Sequence, residues 1–496
     1  MSVSTDAKPD ATPRTDEKKP EEAEPKERVW SSQRSVAIGG RKFRYTAEAR
    51  TTLLRNEQHE ARALVFTTAY LLEGVKDRSR RPITFCFNGG PGSSSVWLHL
   101  GMLGPRRVRF DDPSHPPPPP YELIDSPESI LPYSDLVFVD PVGTGLSRPV
   151  GKAALADFAS ISTDVESMAE LVTRLVTLHG RWNAPKVILG ESYGGTRVGA
   201  LAPVLQDAGM TLSAVVLVSP ALDFATIDPA PGNVLPSVLF LPAHAATAAY
   251  HGRVAAKGER AVTRLIDDAR NFALGEYASA LLRGASLPAA ERRRIAERLS
   301  ALTGMPIPWL LSRDLHVLQP QFCKELLRER GVVVGRLDAR FVGHDLDPAG
   351  GELAHDPSFS APLGPYAALM FHYLREELGV DEERHYRIFN AKMNESWKWE
   401  PAKGWTGGFP SVMKDLRRAM LDNPHLRVVF QSGRYDLATP FSASEHAARH
   451  LGHEPHVRAN VVEYVYPSGH MMYLDPASRE AMKRDLAVLY GSFASG

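Results

Sequence analysis

The stretch that most constrains this chain is Lys186-Val187-Ile188-Leu189-Gly190-Glu191-Ser192-Tyr193-Gly194-Gly195. An apolar run ends in a serine framed by glycines, and residues 196–205 then read as a helix. A Gly-x-Ser-x-Gly frame at a strand-to-helix turn bends the backbone sharply and lifts the serine hydroxyl clear of the sheet. The chain passes so close to itself there that side chains at Gly190 and Gly194 would clash. The N–H that follows the serine, that of Tyr193, is then available to face a developing negative charge. The frame alone also fits an ordinary loop, so the rest of the chain has to decide.

With 496 residues the chain has material for a large core, and 58 basic residues balance 58 acidic ones. No basic field argues for nucleic acid as a partner. Two cysteines, Cys86 and Cys323, do not make a disulfide framework. Residues 1–28 are rich in Lys, Glu, Asp and Pro and read as a disordered polar tail. They lack the apolar segment of a signal peptide, and no run of about 18 apolar residues could cross a membrane. The cytoplasm is therefore the default expectation. Pro116–Pro120 read as a stiff surface loop.

Strand and helix patterns alternate over 29–229, implying a mostly parallel sheet covered on both faces. A helical block at 230–387 interrupts the alternation, with helices read at 235–252, 259–282, 289–302, 319–330 and 361–378. It is expected to cap the site. Alternation resumes over 388–496. Within the first part, 163–178 reads as an amphipathic helix capped by Ser162 or Thr163.

Acyl transfer by a serine needs a base to take its proton and an acid to orient that base. In the α/β-hydrolase fold the chain order is serine, then Asp or Glu, then His. Asp436 follows the apolar run at 428–431, and His470 follows the one at 461–465, each on a loop past a strand. That is the end of a parallel sheet where ligands bind. The expected fold is an α/β-hydrolase, with Ser192, Asp436 and His470 as the triad. The glycine-rich loop Asn88-Gly89-Gly90-Pro91-Gly92 follows an early strand and offers backbone N–H groups to an oxyanion.

Four blocks, Asn88–Ser95 (N-G-G-P-G-S-S-S), Asp140–Ser147 (D-P-V-G-T-G-L-S), Glu191 within G-E-S-Y-G-G, and His470 within G-H-M, resemble the signatures of the serine carboxypeptidases. The resemblance runs from about Arg81 to the C-terminus. It implies a bacterial-type member whose α/β-hydrolase core carries a helical insertion and which needs no metal or organic cofactor. It makes Ser192 the nucleophile, His470 the base and then acid, and Asp436 its orienter. The N–H groups of Gly90 and Tyr193 would form the oxyanion hole. Asn88, Gly89 and Glu191 would hold the substrate's terminal carboxylate, and Met471 would line the pocket for the leaving residue. A buried Glu191, protonated, can donate a hydrogen bond to that carboxylate, which predicts stronger binding at acidic pH.

Two positions depart from the family pattern. Met102 stands where a second glutamate is usual, and Ser93 where a cysteine is usual, so a familiar disulfide is missing. The leading function is release of C-terminal residues from peptides through an acyl-enzyme. The same triad also suits an esterase, amidase or acyltransferase on small acyl substrates, and a non-catalytic binding protein is a third reading. His446 and His450, four apart on a helix, lack the acidic partner of a metal motif and read as a solvated helix end.

Overall fold

The computed structural model describes residues 25–493 apart from 111, 113–117, 352 and 400–407. Residues 1–24 of the expected tail lie outside the described residues, as do Pro116 and Pro117 of the proline run. The sheet is built from β1 (Arg28–Ile38), β2 (Arg41–Arg55), β3 (Ala61–Leu72), β4 (Ile83–Phe87), β5 (Asp135–Val139), β6 (Lys186–Glu191), β7 (Ala214–Val218), β8 (Arg427–Gly433) and β9 (Val461–Tyr466). Their spatial order is β1-β2-β3-β5-β4-β6-β7-β8-β9, and the short strand Arg148–Pro149 pairs with β3. β1, β2, β3 and β5 run antiparallel to one another in turn, whereas β5, β4, β6, β7, β8 and β9 are all parallel.

Every residue of β4, β5, β6 and β7 is buried. Such continuous apolar runs are the mark of parallel strands covered on both faces. Alternate side chains separate into two layers. Ile188, Val215 and Leu217 pack with α1 (Ile161–Leu178) and α2 (Tyr193–Asp207). Leu189, Val216 and Val218 pack on the other face with Leu486 of the C-terminal helix Pro476–Gly491. Register aligns Phe87 with Gly190 and Val218 with both Glu191 and Gln431. The loops after β4, β6, β7, β8 and β9 therefore emerge at one edge, and the candidate site residues sit on or beside those after β4, β6, β8 and β9.

Between β7 and β8 the chain makes a helical excursion that includes α3 (Leu235–Tyr250), α4 (Glu259–Phe272), α5 (Ala289–Thr303) and α6 (Pro357–His372). It has its own apolar cluster, including Leu241, Phe272, Leu299 and Phe322, which also takes in Tyr435, Leu437 and Phe441 of the sheet-bearing part.

Several boundaries differ from the sequence reading. The helix after Ser192 begins at Tyr193 rather than 196, because Ser192 itself is the last non-helical residue. α1 begins at Ile161, and its cap is Ser160, whose hydroxyl accepts from the Thr163 N–H at 3.3 Å. The 259–282 segment is two helices joined by a wider helical turn at Ala273–Tyr277. α6 starts at Pro357, where a proline fits the first turn and Asp356 accepts from the Ser358 N–H.

At the edge of the sheet opposite the site, Asp135 at the start of β5 accepts from Arg81 Nε at 2.6 Å and from the Leu72 N–H at 2.9 Å, and it also pairs with Arg181. All three charged side chains are nearly fully buried. Removing one partner of a buried ion pair typically costs about 3–5 kcal/mol. Asp135→Asn is expected to lower unfolding stability by about that much in chemical denaturation, through the two uncompensated guanidinium groups.

Candidate active site

Ser192 sits at φ 61° and ψ −125°, a conformation costly for a residue with a side chain. Hydrogen bonds hold it there: its N–H donates to Val218 O at 2.9 Å, and its carbonyl accepts from Gly195 at 2.8 Å and Ala221 at 3.2 Å. A Cβ on Gly190 would lie 2.0 Å from Gly194 O, so the tight turn is open only to glycine there. One turn along α2, buried Arg197 donates to Asp164 Oδ2 at 2.8 Å and to the Asn88 carbonyl at 2.6 Å. It ties the elbow to the glycine-rich loop after β4.

Asp436 and His470 come together from the loops after β8 and β9. His470 Nδ1 lies 2.7 Å from Asp436 Oδ2, and both residues are buried. The other carboxylate oxygen accepts from the Ala438 and Thr439 N–H groups at 2.7 and 3.0 Å. With its proton on Nδ1, the imidazole keeps the Nε2 lone pair for another partner. Burial opposes protonation of His470, but the adjoining Asp436 carboxylate, with Glu191, raises its pKa overall. Ser192 and His470 line one cavity without a direct hydrogen bond between them among the described residues. Such bonds often tighten only around a bound substrate.

Gly90 lines that cavity too, and Gly90 and Tyr193 both line a second one that also borders Ser192; Tyr193 is the first residue of α2, where helix N–H groups have no partner within the helix. A Cβ on Gly89 would lie 2.4 Å from Tyr193 N, so the two loops touch backbone to backbone. Glu191 is buried beneath Ser192, and Tyr473 Oη donates to its Oε1 and Oε2 at 3.1 and 2.8 Å. Burial pushes its pKa up to about 7, with the nearby Asp436 carboxylate adding to the rise, while His470 and hydrogen bonds from Tyr473 and Asn88 oppose it.

Two cavities meet at Ser192. One, about 420 Å³, is lined by Asn88, Gly89, Glu191, Phe359, His470 and Met471. The other, about 340 Å³, is lined by Phe224, Asp228, Phe240, Trp399 and Thr439. Gly90, Ser192 and Arg336 border both.

A family model described as serine carboxypeptidase matches residues 46–224. This stretch of the chain is thus similar to the serine carboxypeptidases. Serine carboxypeptidase-like 36 of Arabidopsis thaliana is 31% identical over 28% of this chain and 27% of its own length. The pheromone-processing carboxypeptidase KEX1 of Tuber melanosporum is 29% identical over 26% of this chain and 19% of its own. The matches thus span about a quarter or less of these curated relatives. Over most of the chain, the crystal structure of KEX1(Δ)P, a prohormone-processing carboxypeptidase from Saccharomyces cerevisiae, aligns with TM-score 0.54 at 14% identity. The alignment covers 90% of this chain and 92% of that one, and it shows a shared α/β-hydrolase fold.

The segment matched by the serine carboxypeptidase model holds the glycine-rich loop and the elbow, whereas Asp436 and His470 lie beyond it. Met102 is buried in the apolar layer that includes Val96, Leu100 and Tyr473. Sequence reasoning missed the actual hydrogen-bond partner of Glu191, Tyr473, although it lies only three residues past His470. It also missed Thr439, whose hydroxyl lies 2.8 Å from Asp436 Oδ2 and 3.2 Å from His470 Nδ1. His446 and His450 stack with ring centroids 4.0 Å apart, and no group of three His, Cys, Asp or Glu side chains that could hold a metal occurs among the described residues. Cys86 and Cys323 are both free and buried. No helix among the described residues is long and apolar enough to cross a membrane.

The helical excursion reaches the site through the turn 335–341, which is hydrogen-bonded to the loops that carry Asp436 and His470. Leu337 O accepts from the His470 N–H at 2.6 Å, Arg336 O from Leu437 at 3.0 Å, and Asp338 Oδ2 from Gly469 at 3.1 Å. Asp338 in turn is forked by Arg340, which also donates to Ser468 Oγ at 3.0 Å. A hydrogen bond to a charged acceptor contributes about 1.5–3 kcal/mol. Asp338→Ala is therefore expected to speed local hydrogen exchange of the Gly469 amide by roughly 10- to 100-fold, measured on the intact chain by exchange and mass spectrometry.

Proposed function

We propose that this chain is a serine-type carboxypeptidase that releases the C-terminal residue of a peptide through an acyl-enzyme. The observation that carries this reading is Glu191, a buried carboxyl with a pKa near 7 on the floor of a cavity it shares with Asn88 and the nucleophilic serine. A protonated carboxyl there suits a substrate carboxylate better than a neutral ester or amide terminus.

Ser192 Oγ attacks the scissile carbonyl carbon as His470 Nε2 takes its proton. The N–H groups of Gly90 and Tyr193 receive the charge that forms on the carbonyl oxygen. Asp436 remains ionised and stabilises the imidazolium. His470 then gives its proton to the departing amine, the C–N bond breaks, and the terminal residue leaves with its carboxylate. Water, deprotonated by His470, attacks the ester left on Ser192 and regenerates the serine. The 420 Å³ cavity takes the leaving residue beside Met471, and the 340 Å³ cavity takes the acyl side.

Below pH 7 Glu191 is protonated and donates to the substrate carboxylate; above it, two carboxylates repel. KM for an N-blocked dipeptide is therefore expected to rise above pH 7, approaching about tenfold per pH unit, while KM for its C-terminal amide stays level. The raised pKa of His470 acts on kcat in the opposite sense, since the imidazole must lose its proton to act as a base. Ser192→Ala should abolish both hydrolyses. A second reading, an esterase or acyltransferase with the same triad, is favoured by Met102, which gives the apolar layer a side chain with no carboxyl. Cleavage of a matched ester with no preference for a free carboxylate would establish that reading instead.

A further inference from the structure

Resting on the carboxypeptidase reading, we infer that Arg336 is a substrate-binding residue, gripping the free carboxylate of the leaving residue. Arg336 belongs to the turn that the helical excursion sends into the site. Its backbone is fixed on three sides: its carbonyl accepts from Leu437, its N–H donates to Asp356 Oδ1 at 3.1 Å, and the next carbonyl holds the His470 N–H. Its side chain, by contrast, is about half exposed at 48%. It borders both cavities, a property it shares with Gly90 and Ser192.

Its donors are uncommitted. A guanidinium has five N–H groups, yet this one makes no hydrogen bond among the described residues. Its acidic neighbour is Asp356, with Oδ2 at 4.0 Å from Nε. Asp356 caps α6 through Oδ1, which accepts from the Ser358 N–H at 3.0 Å, the Ser358 hydroxyl at 2.6 Å and the Arg336 N–H, so only its Oδ2 faces the guanidinium, beyond hydrogen-bond reach. Among the residues lining the leaving-side cavity, Arg336 is the one arginine or lysine.

Covalent geometry places the ligand. Standard bond lengths and angles put the carboxylate carbon of a C-terminal residue about 2.5 Å from the nitrogen of the bond being cut. The carboxylate must therefore lie close to Ser192, where the cavities join, rather than deep in the pocket for the side chain. Glu191 and Asn88 approach it from the floor, and Arg336 from the mouth. A guanidinium matches a carboxylate with paired, charge-assisted hydrogen bonds. In this chain it supplies an attraction that Glu191 gives only while protonated, and that Met102 cannot give at all.

The test compares an N-blocked dipeptide with its C-terminal amide at about pH 8, where Glu191 is ionised, in wild type, Arg336→Gln and Arg336→Lys. The quantity read is the ratio of KM for the amide to KM for the free acid. Arg336→Gln is expected to lower this ratio by about tenfold or more through loss of a charged hydrogen bond, with partial recovery in Arg336→Lys. Direct binding of the two peptides to Ser192→Ala and to Ser192→Ala/Arg336→Gln, by calorimetry, should show the same loss without turnover. An unchanged ratio, or equal weakening of acid and amide, overturns the role of Arg336. A wild-type enzyme that does not distinguish acid from amide at about pH 5 either, where Glu191 is protonated, overturns the carboxypeptidase reading itself, and this is visible before any variant is compared.

Discussion

The site depends on one strained residue. Ser192 occupies a backbone conformation that costs an amino acid with a side chain about 1–3 kcal/mol, and the surrounding structure must over-determine it. That support comes from the sheet: β6 pairs with β4 on one side and β7 on the other, so the elbow is locked between two strands. Holding the turn also sets the neighbouring groups. It starts α2 at Tyr193, leaves that N–H without a partner in the helix, and brings Gly89 into backbone contact. The same turn places Glu191 under the serine, away from water, which is why its carboxyl titrates near neutrality.

Much of this was legible in the sequence because the chemistry is local. The glycine frame around Ser192 fixed both elbow and nucleophile candidate, and Asp436 and His470 could be found because loops after parallel strands emerge at one edge. The largely apolar runs at 83–87, 135–139, 187–189 and 214–218 announced a sheet covered on both faces. What was missed depends on contacts distant in sequence or on competition within one turn. Tyr473 reaches Glu191 across 282 positions, and nothing in the spacing of G-H-M-M-Y announces that bond. Arg336 lies in a turn with no motif, and only folding brings it beside His470. The cap of α1 is Ser160 rather than Ser162 or Thr163, because neighbouring hydroxyls offered similar oxygens and packing chose among them.

The helical excursion is more than a cover. Its turn 335–341 lends backbone carbonyls and the Asp338–Arg340 pair to the loops that carry Asp436 and His470. The loops of Asp436 and His470 are thereby fastened to the excursion, so a change in its turn reaches the His470 imidazole through the backbone. The same turn places Arg336 at the border of both cavities that meet at Ser192.

The most direct test of the central claim, that Ser192 is a nucleophile activated by His470, is mass spectrometry of the full chain after exposure to a fluorophosphonate. A single adduct that maps to Ser192, is lost in Ser192→Ala and is strongly slowed in His470→Ala is the predicted result. Absence of an adduct on wild type, or an adduct on another residue that survives Ser192→Ala, would contradict the account.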